Sequence, residues 1–168
     1  MDADELRALQ APLKSKYREN PHAGLVTLHA EGLLDQGQLA CRVETSRALV
    51  EAGLHPATGG NGFQACSGDM LLEALVACAG VTLSAVATAL GITVKGGRVL
   101  AEGDLDFRGT LGVAKDAPVG FRDIRLRFDV DCDATGEQLE TLLKLTERYC
   151  VVYQTLSRPP AMTLSLND

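Results

Sequence analysis

The feature that most constrains this chain is a run of seventeen residues without a charge, Ala74 to Leu90. It is built from Leu, Val and Ala, interrupted by Cys78, Gly80, Thr82, Ser84 and Thr88. A helix that is apolar on every side has no face to offer water, so it belongs inside a protein or inside lipid. A membrane span takes about 20 mostly apolar residues. This run is shorter, is diluted by hydroxyls and glycine, and lacks basic flanks. The expectation is a buried central helix and no membrane partner. Ser67 or Asp69 can cap its start, and Gly91 stands just past its last apolar residue as a stop signal.

Such a helix needs layers to cover it, and the rest of the chain reads as supplying them. Asp4 to Arg18 reads as an amphipathic helix with Leu6, Leu9 and Leu13 on one stripe, split by Pro12 and ended by Asn20-Pro21. Leu25 to Ala30 and Gln38 to Glu44 alternate like the arms of a hairpin that turns near Asp35-Gln36-Gly37. Ser46 to Glu51 offers a third strand, and Gly53 to Gly62, rich in Gly and Pro, reads as loop. Beyond the uncharged run, Ile92 to Leu100 and Gly103 to Thr110 read as two strands. Phe121 to Asp131 alternates cleanly, with Ile124, Leu126, Phe128 and Val130 on one face and Asp123, Arg125, Arg127 and Asp129 on the other.

Thr135 followed three residues later by Gln138 is a capping-box signature. Leu139, Leu142, Leu143, Thr146, Cys150 and Tyr153 then repeat at helical spacing and predict one buried face. Pro159-Pro160 ends that helix, and Met162 to Leu166 alternates like an edge strand. The order of elements predicts an α+β fold, antiparallel sheet packed on a long buried helix with a second helix beside it. Residues 1–20 read as an N-terminal helical extension and 21–168 as a single domain.

Composition narrows the function. Of 168 residues 46% are hydrophobic and 4% aromatic, enough for an aliphatic core. The net charge of −6, with no basic cluster, argues against a nucleic-acid partner. The opening residues MDADELRALQ carry acid where a secretory leader needs positive charge, which predicts a cytoplasmic protein. His22, His29 and His55 are scattered without metal spacing, and Gly59, Gly60 and Gly62 do not follow the dinucleotide pattern. No metal or organic cofactor is expected. Five cysteines (Cys41, Cys66, Cys78, Cys132, Cys150) are not a disulfide framework in a reducing cytosol. Cys41 and Cys132 fall in strand patterns and read as core filler, while Cys66 sits at a loop mouth. Cys78 lies midway along the uncharged helix and Cys150 on the buried face of the second. A buried thiol is most often a small hydrophobe, and reactivity needs a lowered pKa that periodicity cannot show. Glu73 is the one charge inside the apolar helix and is expected to have a structural partner. Glu147 and Tyr149 precede Cys150 on ordinary helix surface.

The block GGNGFQACSGDMLLEALVACAGVTLSAVATAL resembles the central helix of the OsmC/Ohr family of thiol peroxidases, in which a Gly-rich loop and an acidic residue lead into the helix that carries the peroxidatic cysteine. LTERYCVVYQTL, with the short C-terminal strand after it, resembles the segment of the resolving cysteine, and GDLDFRGTLGV…APVGFRDIRLRFDVD resembles the family's middle hairpin. The resemblance spans roughly Leu39 to Leu166. It implies an OsmC-like fold, Cys78 as peroxidatic thiol, Cys150 as resolving thiol, and an arginine that activates Cys78. Arg47 is the first choice for that arginine and Arg42 the second, with Asp69 standing where the family places a glutamate that orients it. It also implies an intertwined homodimer with sites built from both subunits, an organic hydroperoxide substrate, and an external dithiol as reductant. The chain departs from the family where Cys66-Ser67-Gly68-Asp69 replaces an Asn-Pro-Glu sequence and where Val151 replaces a proline after the second cysteine; its arginine loop is also longer. On a regular helix Asp69 and Cys78 are about 13 Å and half a rotation apart. Any influence of Asp69 on the thiol must then pass through an intermediary, and the plain alternative is an acid favoured by a helix's first turn. Two other functions fit less of the chain. One is a non-catalytic protein of this fold holding an acyl-type ligand; the other is a cysteine hydrolase, which would need His55 near Cys78.

Overall fold

The computed structural model describes residues 2–5, 8, 11, 19, 32–35, 40–44, 49–112 and 114–166. Residues 3–5, 8, 11 and 19 are helical. Leu25 to Ala30, expected as a strand, lies outside the described residues, as does Arg47. The described strands are β1 (Gly32–Asp35), β2 (Ala40–Glu44), β3 (Leu49–Gly53), β4 (Ala65–Cys66), β5 (Val94–Leu105) and β6 (Phe121–Cys132). The helices are α1 (Ser67–Leu90), α2 (Phe107–Thr110), α3 (Gly136–Tyr149) and α4 (Val151–Ser157). A 3-10 turn, Pro56–Thr58, interrupts the expected loop.

These elements fall into two compact units, one of Met1–Leu9, Ala74–Val99 and Phe128–Asp168, the other of Gln10–Glu73 and Leu100–Arg127. The second unit holds the sheet β1-β2-β3-β4. Its first two strands pair antiparallel, Asp35 facing Ala40, so Asp35 belongs to a strand and not to the expected turn. β2 pairs antiparallel with β3, and β3 runs parallel to the two-residue β4.

β5 and β6 pair as a separate ribbon. The sequence reads Ile92 to Leu100 and Gly103 to Thr110 as separate strands, yet β5 is continuous from Val94 to Leu105. Two of its glycines, Gly97 and Gly103, mark close approaches. A Cβ on Gly97 would meet Asp129 O at 2.6 Å, and one on Gly103 would meet the Phe121 ring at 2.4 Å. Phe107 to Thr110 is the helical turn α2 and not a strand, with Gly109 N donating to Asp106 O and Leu111 N to Phe107 O. β6 keeps the expected alternation, its Ile124, Leu126, Phe128 and Val130 half-buried and the intervening acids and arginines exposed.

The core of the first unit forms where α1, β6 and α3 meet. Leu83, Ala87, Ile92 and Leu142 are buried together, with Val86, Phe128, Val130, Cys132 and Ala134 packed around them. Gly91 ends α1 in the left-handed conformation (φ 71°). Its N–H donates to Thr88 O and that of Ile92 to Ala87 O, a closure that drops Ile92 back into the core. Asp133 locks the other side: its carboxylate accepts from Thr93 N at 2.8 Å. The capping box forms as expected, Thr135 N donating to Gln138 Oε1 and Gln138 N to Thr135 Oγ1.

α1 departs from the expectation of burial all round. Within the chain only the stripe Leu75, Ala79, Leu83 and Ala87 is buried, while Val81 is 72% exposed. One ribbon and one helix can cover one stripe of a 24-residue helix and no more. By length and composition alone α1 could cross a membrane. Glu73 is exposed, so its charge needs no internal partner. On α3 the buried face is narrower than the spacing predicts: Leu142, Thr146 and Cys150 are buried, Leu139 and Leu143 largely exposed. Met162 to Leu166 forms no strand and its Met162, Leu164 and Leu166 lie in solvent. Alternation prepares a face, but a strand also needs a partner, and this segment pairs with none of the described strands.

Candidate functional site: a pair of unequal thiols

Cys78 and Cys150 are brought together in the first unit. Cys78 sits one residue before Ala79, hence on the shoulder of the buried stripe of α1 and half-buried. Cys150 is 1% exposed at the joint between α3 and α4. The second helix is not continuous there. Cys150 takes an extended conformation (φ −73°, ψ 108°), closing α3 through its N–H to Thr146 O while serving as the residue before α4. A helix start leaves its first N–H groups without partners inside the helix. Those of Val151 and Val152 are turned to use by Cys78 Sγ.

The two thiols differ in acidity for identifiable reasons. Burial pushes the Cys78 thiol up, but the N–H of Val152, the thiol of Cys150, the N–H of Val151 and the hydroxyl of Thr82 all favour its thiolate, and together they bring it below the ordinary value. Burial also pushes Cys150 up. The N–H of Tyr153 works against this, while the hydrogen bond to Cys78 and the charge of its thiolate reinforce it, so Cys150 stays above the ordinary value. The pair therefore loses its first proton mainly from Cys78 and keeps Cys150 as the donor. An activated nucleophile beside a protonated second thiol is the arrangement that sulfenic acid formation and disulfide closure require.

Asp69 is exposed in the first turn of α1. Arg42 lies in β2, and its side chain, like that of Cys41, is outside the described residues. Among the described residues, the groups that draw Cys78 down are amides, a thiol and a hydroxyl, none of them an arginine or an imidazole. His55 is occupied elsewhere: its Nδ1 accepts from Ala57 N at 3.0 Å and its ring stacks on Phe107 at 4.8 Å. Cys66 and Cys132 are half-buried free thiols, Cys132 against the core. Among the described residues no group of three His, Cys, Asp or Glu is placed to hold a metal. The break at Cys150 and the role of Thr82 escape a reading of periodicity. The signals for them are the paired β-branched residues after Cys150, poor helix formers, and the four-residue spacing from Cys78 to Thr82.

A search of curated proteins finds no match. Among solved structures, the OsmC-like protein of Mycoplasma pneumoniae has TM-score 0.65 at 17% identity over 80% of this chain and 89% of its own. An organic hydroperoxide resistance protein OsmC of Legionella pneumophila has TM-score 0.62 at 14% identity over 80% and 93%. An organic hydroperoxide resistance protein of Elizabethkingia anophelis has 0.57 at 14% over 80% and 91%. At these identities the likeness is one of fold. The model of the OsmC-like protein family matches residues 59–165, which holds Cys78, Cys150 and Asp69 and excludes Arg42 and Arg47. The match covers well over half of the chain, and with its long helix, small sheets and closing pair of helices the chain belongs to the OsmC-like family.

Proposed function

We propose that the chain is a thiol peroxidase that reduces organic hydroperoxides to alcohols. The observation that carries this reading is the contact between Cys78 and Cys150 with their acidities displaced in opposite directions. The Cys78 thiolate attacks the outer oxygen of the hydroperoxide. An S–O bond forms, the O–O bond breaks, and the alkoxide leaves and takes a proton from water. Cys78 is then a sulfenic acid. Cys150 attacks its sulfur, water departs, and a Cys78–Cys150 disulfide remains. An external dithiol reduces that disulfide by exchange, becoming a disulfide itself. No metal or organic cofactor takes part.

Alkyl or fatty-acid hydroperoxides suit the site better than hydrogen peroxide, because the helix around Cys78 is apolar and gains from covering an alkyl tail. Arg47, or Arg42 in its place, adds a guanidinium to the amide donors, held by Asp69. The working form is a cytoplasmic homodimer. The exposed Val81 on α1 and the unpaired alternating segment with Met162, Leu164 and Leu166 support it, since both are apolar surfaces that a second copy would cover.

The test is to add a stoichiometric amount of cumene hydroperoxide to the reduced protein and map disulfides by mass spectrometry. A Cys78–Cys150 bond within seconds is the expected result. Thiols that both stay reduced would sink the reading and leave a ligand-binding protein of the same fold.

A further inference from the structure

We propose that Gln154 is a positioning residue for the thiol pair: its side-chain amide takes up the Glu147 carbonyl and so keeps the joint between α3 and α4 broken at Cys150. The bond is direct, Gln154 Nε2 donating to Glu147 O at 2.8 Å. Its span along the chain is the informative part. Unbroken helix would put about 10.5 Å of rise between residues 147 and 154, beyond the reach of a glutamine side chain. The bond therefore exists only because the chain turns at Cys150, whose ψ is 108° where a helix needs about −42°.

The same turn frees the carbonyl to accept. In a continuous helix Glu147 O would receive the N–H of Val151, four residues on. The extended ψ of Cys150 swings that N–H off the helix axis and leaves Glu147 O among the orphan acceptors of a helix end. Left to water, that carbonyl would gain from a straightened chain, and nothing at position 151 forbids one: valine carries an N–H and can continue a helix. Gln154 removes the pull by supplying the donor from its side chain. Its backbone holds the other side of the joint, Gln154 N donating to Cys150 O at 2.9 Å while Gln154 O accepts from Arg158 N at 3.0 Å. One residue thus grips the chain both at Cys150 and three residues before it. Between the two grips Cys150 is held in its buried corner.

This inference rests on the reading of Cys150 as the partner of Cys78, but its test needs no hydroperoxide. Gln154→Met keeps the length of the side chain without the donor, and Gln154→Ala replaces it if methionine does not fold. Val151→Pro supplies the contrast, because proline has no N–H to give Glu147 and keeps the residue before it extended. Two quantities are read in each variant, with folding checked by circular dichroism. One is the Cα chemical shift of Cys150, which separates extended from helical backbone. The other is the dithiol–disulfide equilibrium of Cys78 and Cys150 in glutathione buffers, followed on the peptides by mass spectrometry. There the two protein thiols are oxidised to a disulfide as one glutathione disulfide is reduced to two thiols. Gln154→Met should move the Cys150 shift toward helical values and the equilibrium about threefold toward the dithiol, the scale of one lost hydrogen bond. In the Val151→Pro background the same substitution should do neither. A Cys150 that stays extended in the single variant, an unmoved equilibrium, or an effect as large beside proline would overturn the proposal. A protein that meets all these expectations and consumes no hydroperoxide would sink the peroxidase reading and leave Gln154 standing.

Discussion

The Cys150 thiol lies beside Cys78 Sγ, at the one point where the second helix breaks. That break does two things with one residue. It ends α3 with Cys150 buried, and it starts α4 so that the N–H groups of Val151 and Val152 meet the sulfur of Cys78. Had the helix run through, those amides would have been spent on carbonyls one turn back. The division of labour between the thiols follows, one favoured as thiolate and the other kept protonated beside it.

Cys78→Ser should abolish consumption of organic hydroperoxide. Cys150→Ser should allow one turnover and then stall, with a sulfenic acid trappable by dimedone on Cys78. Mass spectrometry of the trapped adduct checks both. A Cys150→Ser protein that cycles at the wild-type rate with a dithiol would remove Cys150 from the reaction.

Val151 is the first residue of α4, where proline is well tolerated because its missing N–H is not needed by the helix. Cys150 before it is already extended, as a residue preceding proline prefers. Val151→Pro therefore removes a donor to Cys78 while respecting the backbone. Its expected effect is a Cys78 alkylation midpoint at higher pH and a rate below the midpoint slower by roughly twofold to threefold. The melting curve should change little.

The rate of Cys78 alkylation and the first, peroxide-consuming step should share a pH profile. Because the folded Cys78 is more acidic than a free thiol, both should rise through a midpoint below the ordinary cysteine range and level off where an unfolded control is still rising. Stopped-flow measurement across pH checks this.

Leu142 is 1% exposed between Leu83, Ala87 and Ile92, whereas Leu143 beside it is 46% exposed. Leu142→Ala should cost about 2–5 kcal/mol and Leu143→Ala about 0.5 kcal/mol. Urea melts of the two variants should differ plainly in midpoint, and similar losses would mean that the face of α3 is not placed as described.

Asp133 is held below the usual carboxylate range first by the N–H of Thr93 and then by its hydroxyl. With the folded value below the unfolded one, its contribution is complete above the unfolded pKa of about 3.9 and fades as pH falls toward the folded value. The urea midpoint of wild type should drop on acidification through this window, and that of Asp133→Asn should drop less.

Much of the fold was legible in the residues because local chemistry acts alone. Thr135 and Gln138 cap a helix wherever it stands, Gly91 can take the left-handed turn that stops α1, and the alternation of β6 survives intact. Readings failed where a distant partner decides. Ile92 to Leu100 and Gly103 to Thr110 read as separate strands, yet residues 94–105 form one, with Asp129 and Phe121 pressed against Gly97 and Gly103. Met162 to Leu166 has the pattern of a strand and joins none of the described strands.

For Cys78 and Cys150, the sequence by itself determined that one thiol lies on an uncharged helix and the other on the inner face of a capped one. It also carried the family's signature around both. Only the tertiary structure decided that they touch and that they differ. A thiol's acidity depends on donors a few ångströms away, and here those donors, the first amides of α4, come from a segment more than seventy residues along the chain.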